Sequence, residues 1–360
     1  MRGKHIWFFL LITLFALSFF YIENHFVSPV RTPFFEEKLR AAELSREAME
    51  LIKHEMIGRS IPRDSINDPN STFLVGTKFS EITTSQNPLS DVLTTLNPNF
   101  AAAFVSLFRK LKIKKGDIVA INTSASFPAL NISLLSTCEV LGIKAIITTD
   151  VSSASYGANH PDFTYLDMET LLKDRNIFDN STTAASIGGE KDNGEGISPN
   201  GRKLLIAAIR RNNINLINSG SLAPNIEKRY KTYEDFAANN GKRLAAFIEV
   251  GGTITGFGQS IADSLLKPGI NLYPETQFLS NYGLLHRMVE ERIPIIFLGN
   301  MQRLAASLGV STFHIPGPKP GEDPLFSEER YSVKLAILFL VLLIGLLFAY
   351  LRIEIVLRKK

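Results

Sequence analysis

Five polar stretches carry the residues whose types and spacing suit chemistry, and each follows a short apolar run. In Thr123-Ser124-Ala125-Ser126-Phe127-Pro128-Ala129-Leu130-Asn131, small hydroxyls and an amide flank a strand-to-helix junction. Free backbone N–H groups at such a junction can hold an anion or a carboxylate. A nucleophilic role for Ser126 fits this context, although Gly-x-Ser-x-Gly is absent, and a turn or capping role is the alternative. Gly251-Gly252 lets the backbone approach a ligand or form a two-amide nest. Glu249, just before it, ends an apolar run and must be either paired or placed at a site edge, because a carboxylate buried alone is costly. Acyl transfer needs a nucleophile, a base and oxyanion donors. Ser126, His160 and Glu249 are therefore the candidate catalytic residues. Ser124, Asn131, Ser155, Asn159, Gly188, Gly189, Glu190, Gly251 and Gly252 are the candidate ligand-binding residues.

Metal chemistry has little support. Gly188–Gly196 packs Glu190, Asp192 and Glu195 among glycines without reproducing an EF-hand spacing, and a solvated, mobile loop is the plainer reading. No histidine pair follows His-Glu-x-x-His, so neither metal nor cofactor is expected. Cys138, the single cysteine, sits in an apolar helical pattern and reads as a buried core residue. Asp162 and Asp167 frame the entry to a helix, and one of them reads as an N-terminal charge.

The elements that must position these loops alternate between helix-period stretches and short apolar runs. This pattern predicts an α/β fold with a mainly parallel, Rossmann-like sheet layered with helices. Strands are expected at Ile118–Asn122, Ile143–Thr148, Ile214–Ile217, Leu244–Val250 and Pro294–Leu298. Helices are expected at Pro98–Leu111 (capped by Asn97), Pro128–Leu141, Tyr165–Asn176, Pro199–Asn212 (capped by Ser198), about Ala223–Asn239, and Tyr282–Arg292. Ile177–Asn200 reads as a polar loop. In an open α/β sheet the ligand lies beyond the carboxyl ends of the strands, where the five stretches fall.

Two charge-free apolar segments, Ile6–Ile22 and Leu335–Leu351, are about long enough to cross a membrane. Arg2 and Lys4 precede the first, and Arg352, Arg358, Lys359 and Lys360 follow the second, so both termini are expected in the cytoplasm. The alternative for the first segment is a cleaved signal peptide, but its unbroken run through Phe19, Phe20 and Tyr21 favours a retained signal anchor. The expected organisation is a cytoplasmic tail (1–5), a membrane helix (6–22), a stalk helix and linker (23–71), an extracytoplasmic domain (72–325), a second membrane helix (335–351) and a tail (352–360). Much of the net charge of +4 sits in the tails: without six basic residues there, of 39, and Glu354, of 35 acids, the body is about one charge negative. That excludes a broad nucleic-acid surface. An outward-facing body without Gly-x-Gly-x-x-Gly in its first strand-to-helix turn also argues against a nucleotide domain.

Four segments in order carry a more specific signal: Ser126-Phe127-Pro128-Ala129-Leu130-Asn131; Ser155–Asn159 leading to Asp162–Glu169; Ile187-Gly188-Gly189-Glu190; and Gly194-x-Gly196-x-Ser198-Pro199-x-Gly201-Arg202. Together they resemble the poly-gamma-glutamate system protein family of bacteria, over most of Gly116–Gly299. The resemblance implies a role in making, exporting or anchoring an anionic capsule or envelope polymer. It also implies the synthase and export membrane subunits, and the polymer itself, as partners. It carries over no catalytic residue. The expected role is an inner-membrane component that binds polymer or partner subunits. The competing expectation is an envelope hydrolase or transferase of gamma-glutamyl amides using Ser126. With the body near neutrality, recognition of a polyanion has to be local, through backbone nests and residues such as Arg202 or Arg287.

Overall fold

The computed structural model describes residues 2–258, 266–272, 274 and 283–358. In chain order the elements are α1 (Arg2–His25), β1 (Val27–Arg31), α2 (Phe35–Gly58), β2 (Thr83–Ser85), α3 (Leu89–Thr95), α4 (Phe100–Lys110), β3 (Ile118–Ser124), α5 (Pro128–Leu141), β4 (Lys144–Asp150) and β5 (Ser153–Ala154). There follow α6 (Tyr165–Asp174), β6 (Thr182–Ser186), α7 (Pro199–Arg211), β7 (Asn215–Leu216), α8 (Leu222–Asn239), β8 (Leu244–Val250) and α9 (Ile254–Phe257). The last are β9 (Gly269–Asn271), α10 (Leu284–Glu290), β10 (Ile295–Leu298), α11 (Met301–Leu308), β11 (Ser327–Tyr331) and α12 (Val333–Arg358).

The chain forms two units, Met1–Pro33 with Ser327–Lys360, and Phe34–Phe326. In the first, α1 and α12 contain apolar stretches of 20 residues each, Ile6–His25 and Val333–Arg352, compatible with two membrane passes. Aromatic side chains pair the two helices: Phe8 stacks on Tyr350 with centroids 3.8 Å apart, and Phe19 meets Phe339 edge-on. Beside them β1 and β11 form an antiparallel ribbon.

The second unit is built on a seven-stranded sheet of order β7-β6-β4-β3-β8-β10-β9, parallel except for the β10–β9 pair. The chain runs outward from β3 through β4 and β6 to β7, returns over α8, and resumes at β8 on the other side of β3. The direction of travel thus reverses between β3 and β8. Successive strand residues face opposite sides. Val119 and Ile121 pack with Ile248 against the α2/α4/α5 layer, whereas Ile118, Ala120, Ile146 and Phe247 pack against α8 and α10.

The segment expected to be a stalk belongs to this core. Ala41, Ala42, Ser45, Ala48 and Ile52 of α2 are fully buried, and Ser45 hydrogen-bonds Ser133 of α5 at 2.9 Å. Small side chains let the helices approach closely. They also make a weak hydrophobic stripe, which explains the misreading.

The expected span of α5 and that of β8 match, and Ser198 caps α7, accepting from the Gly201 N–H at 3.0 Å. Asn97 does not cap its helix. It accepts from the Asn99 N–H, and the helix begins at Phe100. The supposed loop Ile177–Asn200 contains β6. The expected Tyr282 start lies outside the described residues, and α10 begins at Leu284. Cys138 is buried, and burial pushes its thiol pKa up. Asp167 accepts from Thr164 N–H at 2.6 Å and pairs with Arg211, as an N-terminal charge should.

Candidate functional site

The strand register lines up a polar ladder at the carboxyl end of the sheet. Glu249, Asn122 and Thr148 are aligned across β8, β3 and β4, and one pleat further on Ser124, Asp150 and Ser186 are aligned across β3, β4 and β6. Because strand side chains alternate, both rows continue the face whose lower part is Ile118, Ala120, Ile146 and Phe247. Opposite them α8 presents Ile226, Arg229 and Tyr233, spaced three and four apart and all buried. Apolar residues therefore meet at one end of this interface and polar residues at the other.

Arg229 is the centre of the polar part. Its Nη2 donates to Asp150 Oδ1 at 2.5 Å, to Ser186 Oγ at 2.7 Å and to Asp192 Oδ1 at 3.2 Å, and its Nη1 donates to Asn122 Oδ1 at 3.0 Å. Ser186 Oγ also bonds Asp192. Burial opposes the guanidinium charge, but Asp192 and Asp150 outweigh it and hold the Arg229 pKa above its ordinary value. Asp150 is pushed up, first by burial and further by Asp192, against the pull of Arg229.

Asn122 joins this cluster to a second one. Its Nδ2 donates to Glu249 Oε2 at 2.9 Å and is shared with the hydroxyls of Thr253 and Thr255, while Thr253 N–H donates to Glu249 Oε1 at 2.6 Å. Burial, only partly offset by these bonds, raises the Glu249 pKa to about 8. Gly256 packs on the carboxylate so closely that a Cβ there would lie 2.4 Å from it.

Above the ladder, between the loops after β3 and β8, lies a cleft of about 300 Å³. Ser124, Ser126 and Phe127 line one side, and Gly251, Gly252 and Thr253 another. Thr84, Ser85 and Asn87 close it from the β2 ribbon, Gly189 and Glu190 stand at the rim, and Asp150 and Ser152 complete it. This is the reversal point of the sheet, where an open α/β fold places ligands. Gly251 and Gly252 both have left-handed backbone (φ 78° and 74°), which glycine tolerates without a Cβ clash. Gly251 N–H is spent on the Leu298 carbonyl and Thr253 N–H on Glu249, and the Gly252 N–H between them has no acceptor among the described residues.

Six of the residues singled out from sequence come together here: Ser124, Ser126, Gly189, Glu190, Gly251 and Gly252. The others do not line the cleft. Asn131 ties α5 to β3 by donating to Ser124 O at 2.9 Å and accepting from Thr123 Oγ1 at 2.6 Å. Asn159 is bonded to both backbone atoms of Thr77, and Ser155 to the Ser85 carbonyl. Gly188 packs against Ser152. Ser126 Oγ accepts from the Ala154 N–H at 3.0 Å, and neither His160 nor a carboxylate bonds it among the described residues. The His160 Nδ1 is buried and has no partner among the described residues. The acyl-transfer constellation of Ser126, His160 and Glu249 is thus not assembled in this geometry.

Sequence reading missed Asp150, Asp192, Ser186 and Arg229. Two signals were present: an arginine on the same helical stripe as Ile226 and Tyr233, and an aspartate in phase with Ile146 on β4. No family model, curated protein or solved structure matches the chain.

Proposed function

We propose that this chain is a component of a bacterial poly-gamma-glutamate synthesis or export system, held in the cell membrane by two passes with both termini in the cytoplasm. Its Rossmann-like body lies outside and binds the polymer or the partner membrane subunits without bond chemistry of its own. The observation that carries the binding reading is the cleft at the reversal point. It gathers hydroxyls, a backbone amide and carboxylates around about 300 Å³, yet offers Ser126 no base among the described residues. The family resemblance of the four loop segments supplies the polymer, and the basic flanks Arg2, Lys4 and Arg352 supply the orientation. The gamma-glutamyl hydrolase or transferase alternative has less support, because a serine nucleophile needs an oriented base within hydrogen-bonding reach.

Polymer output and chain length, measured in a deletion strain complemented with wild type or Ser126→Ala, test the role. Deletion is expected to abolish output, and a stably expressed Ser126→Ala copy to restore it at normal chain length. Failure of that copy, or altered chain length, would favour the enzyme. Orientation is tested with Lys114→Cys, at an exposed site, and a membrane-impermeant maleimide on intact cells. Wild type serves as the blank because Cys138 is buried. Labelling only after permeabilisation would place the body inside.

A further inference from the structure

We infer that the reversal-point cleft binds a primary ammonium group carried beside a carboxylate, and so takes the free amino end of a gamma-glutamyl chain rather than its repeating middle. The identity of the chain rests on the function proposed above. The ammonium chemistry rests on the charge and geometry of the cleft floor.

One guanidinium answers two carboxylates there. Arg229, fully buried, contacts both Asp150 and Asp192, and no second cation reaches either acid among the described residues. Lys191, nearest in sequence, is exposed and paired with Glu195. With both acids ionised the cluster is one positive charge short, a deficit that either a proton held between the two neighbouring carboxylates or a cation from outside makes good, since a buried uncompensated charge is expensive. The Ser186 hydroxyl carries one proton and bonds Asp192 most closely, so it cannot fully serve Asp150 as well.

Asp150 is nine-tenths buried, and its Oδ1 takes both Arg229 and Ser186. No donor reaches its Oδ2 among the described residues, and Asp150 lines the cleft. A carboxylate oxygen held in place from behind and open in front is an acceptor for a cationic donor. A ligand ammonium there completes the charge balance, and Glu190 at the rim adds attraction of the same sign.

Around Asp150 the lining changes character. Ser124, Ser126, Ser152 and the Gly252 N–H can donate to an anion a few ångströms away, without a basic side chain among the described lining residues. A floor that wants a cation beside walls that offer neutral donors matches an α-amino acid head. A gamma-linked chain has such a head once, at its amino terminus. Every inner residue has the α-carboxylate but an amide in place of the ammonium.

Calorimetric titration of the full chain in detergent micelles tests this with four probes: gamma-linked triglutamate, its N-acetylated form, alanine, and calcium chloride. Acetylation is expected to weaken trimer binding by about tenfold or more, the worth of a hydrogen-bonded charge. Asp150→Asn should weaken the free trimer similarly and leave the acetylated trimer unchanged. Because Asp150→Asn could unsettle the core, Glu190→Gln at the exposed rim serves as the second variant, with a smaller loss confined to the free trimer. Equal binding of both trimers overturns the amino-end inference and leaves the polymer reading standing. Alanine binding that depends on Asp150, with neither trimer bound, upholds the ammonium site and overturns the polymer reading. Calcium binding that depends on Asp150, or no binding by any probe, overturns the inference.

Discussion

Two carboxylates end adjacent parts of the same sheet, and the protein treats them differently. Asp150, with Asp192 beside it, is given a fixed cation, Arg229. Among the described residues Glu249 is given only neutral donors, the Asn122 amide and the Thr253 N–H, and it packs against Gly256. Asn122 touches both, accepting from Arg229 on one side and donating to Glu249 on the other. The difference decides which carboxylate can work. Glu249 has both oxygens occupied, does not line the cleft and fastens the β8 loop. Asp150 is braced through Oδ1 by Arg229 and Ser186 and lines the cleft, with no donor to its Oδ2 among the described residues. A carboxylate conspicuous in sequence can thus be a strut, and an inconspicuous one can face a ligand.

Removing the cation should have the largest effect. Arg229→Met leaves Asp150 and Asp192 uncompensated in the core and is expected to cost about 3–5 kcal/mol, read as a lowered denaturation midpoint of the full chain in detergent. Adding Asp150→Asn and Asp192→Asn should recover much of that loss; if it does not, the arginine acts through packing instead of charge.

The neutral cluster is probed next. Gly256→Ala forces a methyl against the Glu249 carboxylate and should destabilise by about 1–3 kcal/mol. A thermal midpoint equal to wild type would mean that the β8 loop yields freely.

The pH response is shared by the two clusters, because burial raises both Asp150 and Glu249 above their ordinary values. The Glu249 pKa, raised by burial to about 8 from 4.5, means that the folded chain holds a proton that the unfolded chain has released between those values. Stability is therefore expected to fall as pH rises from about 5 to 8. Glu169, raised chiefly by burial to about 7, contributes with the same sign. Glu249→Gln should flatten part of this slope in melting curves taken across the range. An unchanged slope would assign the dependence elsewhere.

The smallest effect is expected at Ser126. Ser126→Ala removes the acceptor of the Ala154 N–H, costs about 1 kcal/mol, and, as one neutral donor among several in the cleft, should weaken polymer binding by only a few-fold in a titration.

How far the sequence could reveal this comparison depended on side-chain contrast. The span of β8 was legible because Leu244–Val250 is an apolar run that ends in a charge, and α5 because proline opens it and Gly142 closes it in left-handed backbone. β6 was not, since Thr182-Thr183-Ala184-Ala185-Ser186 has no large apolar residue. Its burial comes from Ile187, Leu205 and Ile209 packing around Ala185. The Gly188–Gly196 stretch resembles a solvated loop in composition, yet Asp192 turns inward and is fully buried on Arg229. Arg229 itself sits among Glu227, Lys228 and Lys231, and the exposed charges of the two lysines hide the one that faces the core. Ser124, Ser126 and the Gly251-Gly252 pair were legible as loop ends, but their common cleft follows from the strand order, which no local pattern encodes.

The most direct test of the central claim, that the reversal-point cleft is a binding site, is hydrogen–deuterium exchange of the full chain in detergent with and without gamma-linked oligoglutamate. Protection is expected in Ser124–Phe127 and Gly251–Ile254, and it should be lost in Asp150→Asn. Protection confined to other segments, or unchanged exchange at ligand concentrations that saturate binding, would contradict the account.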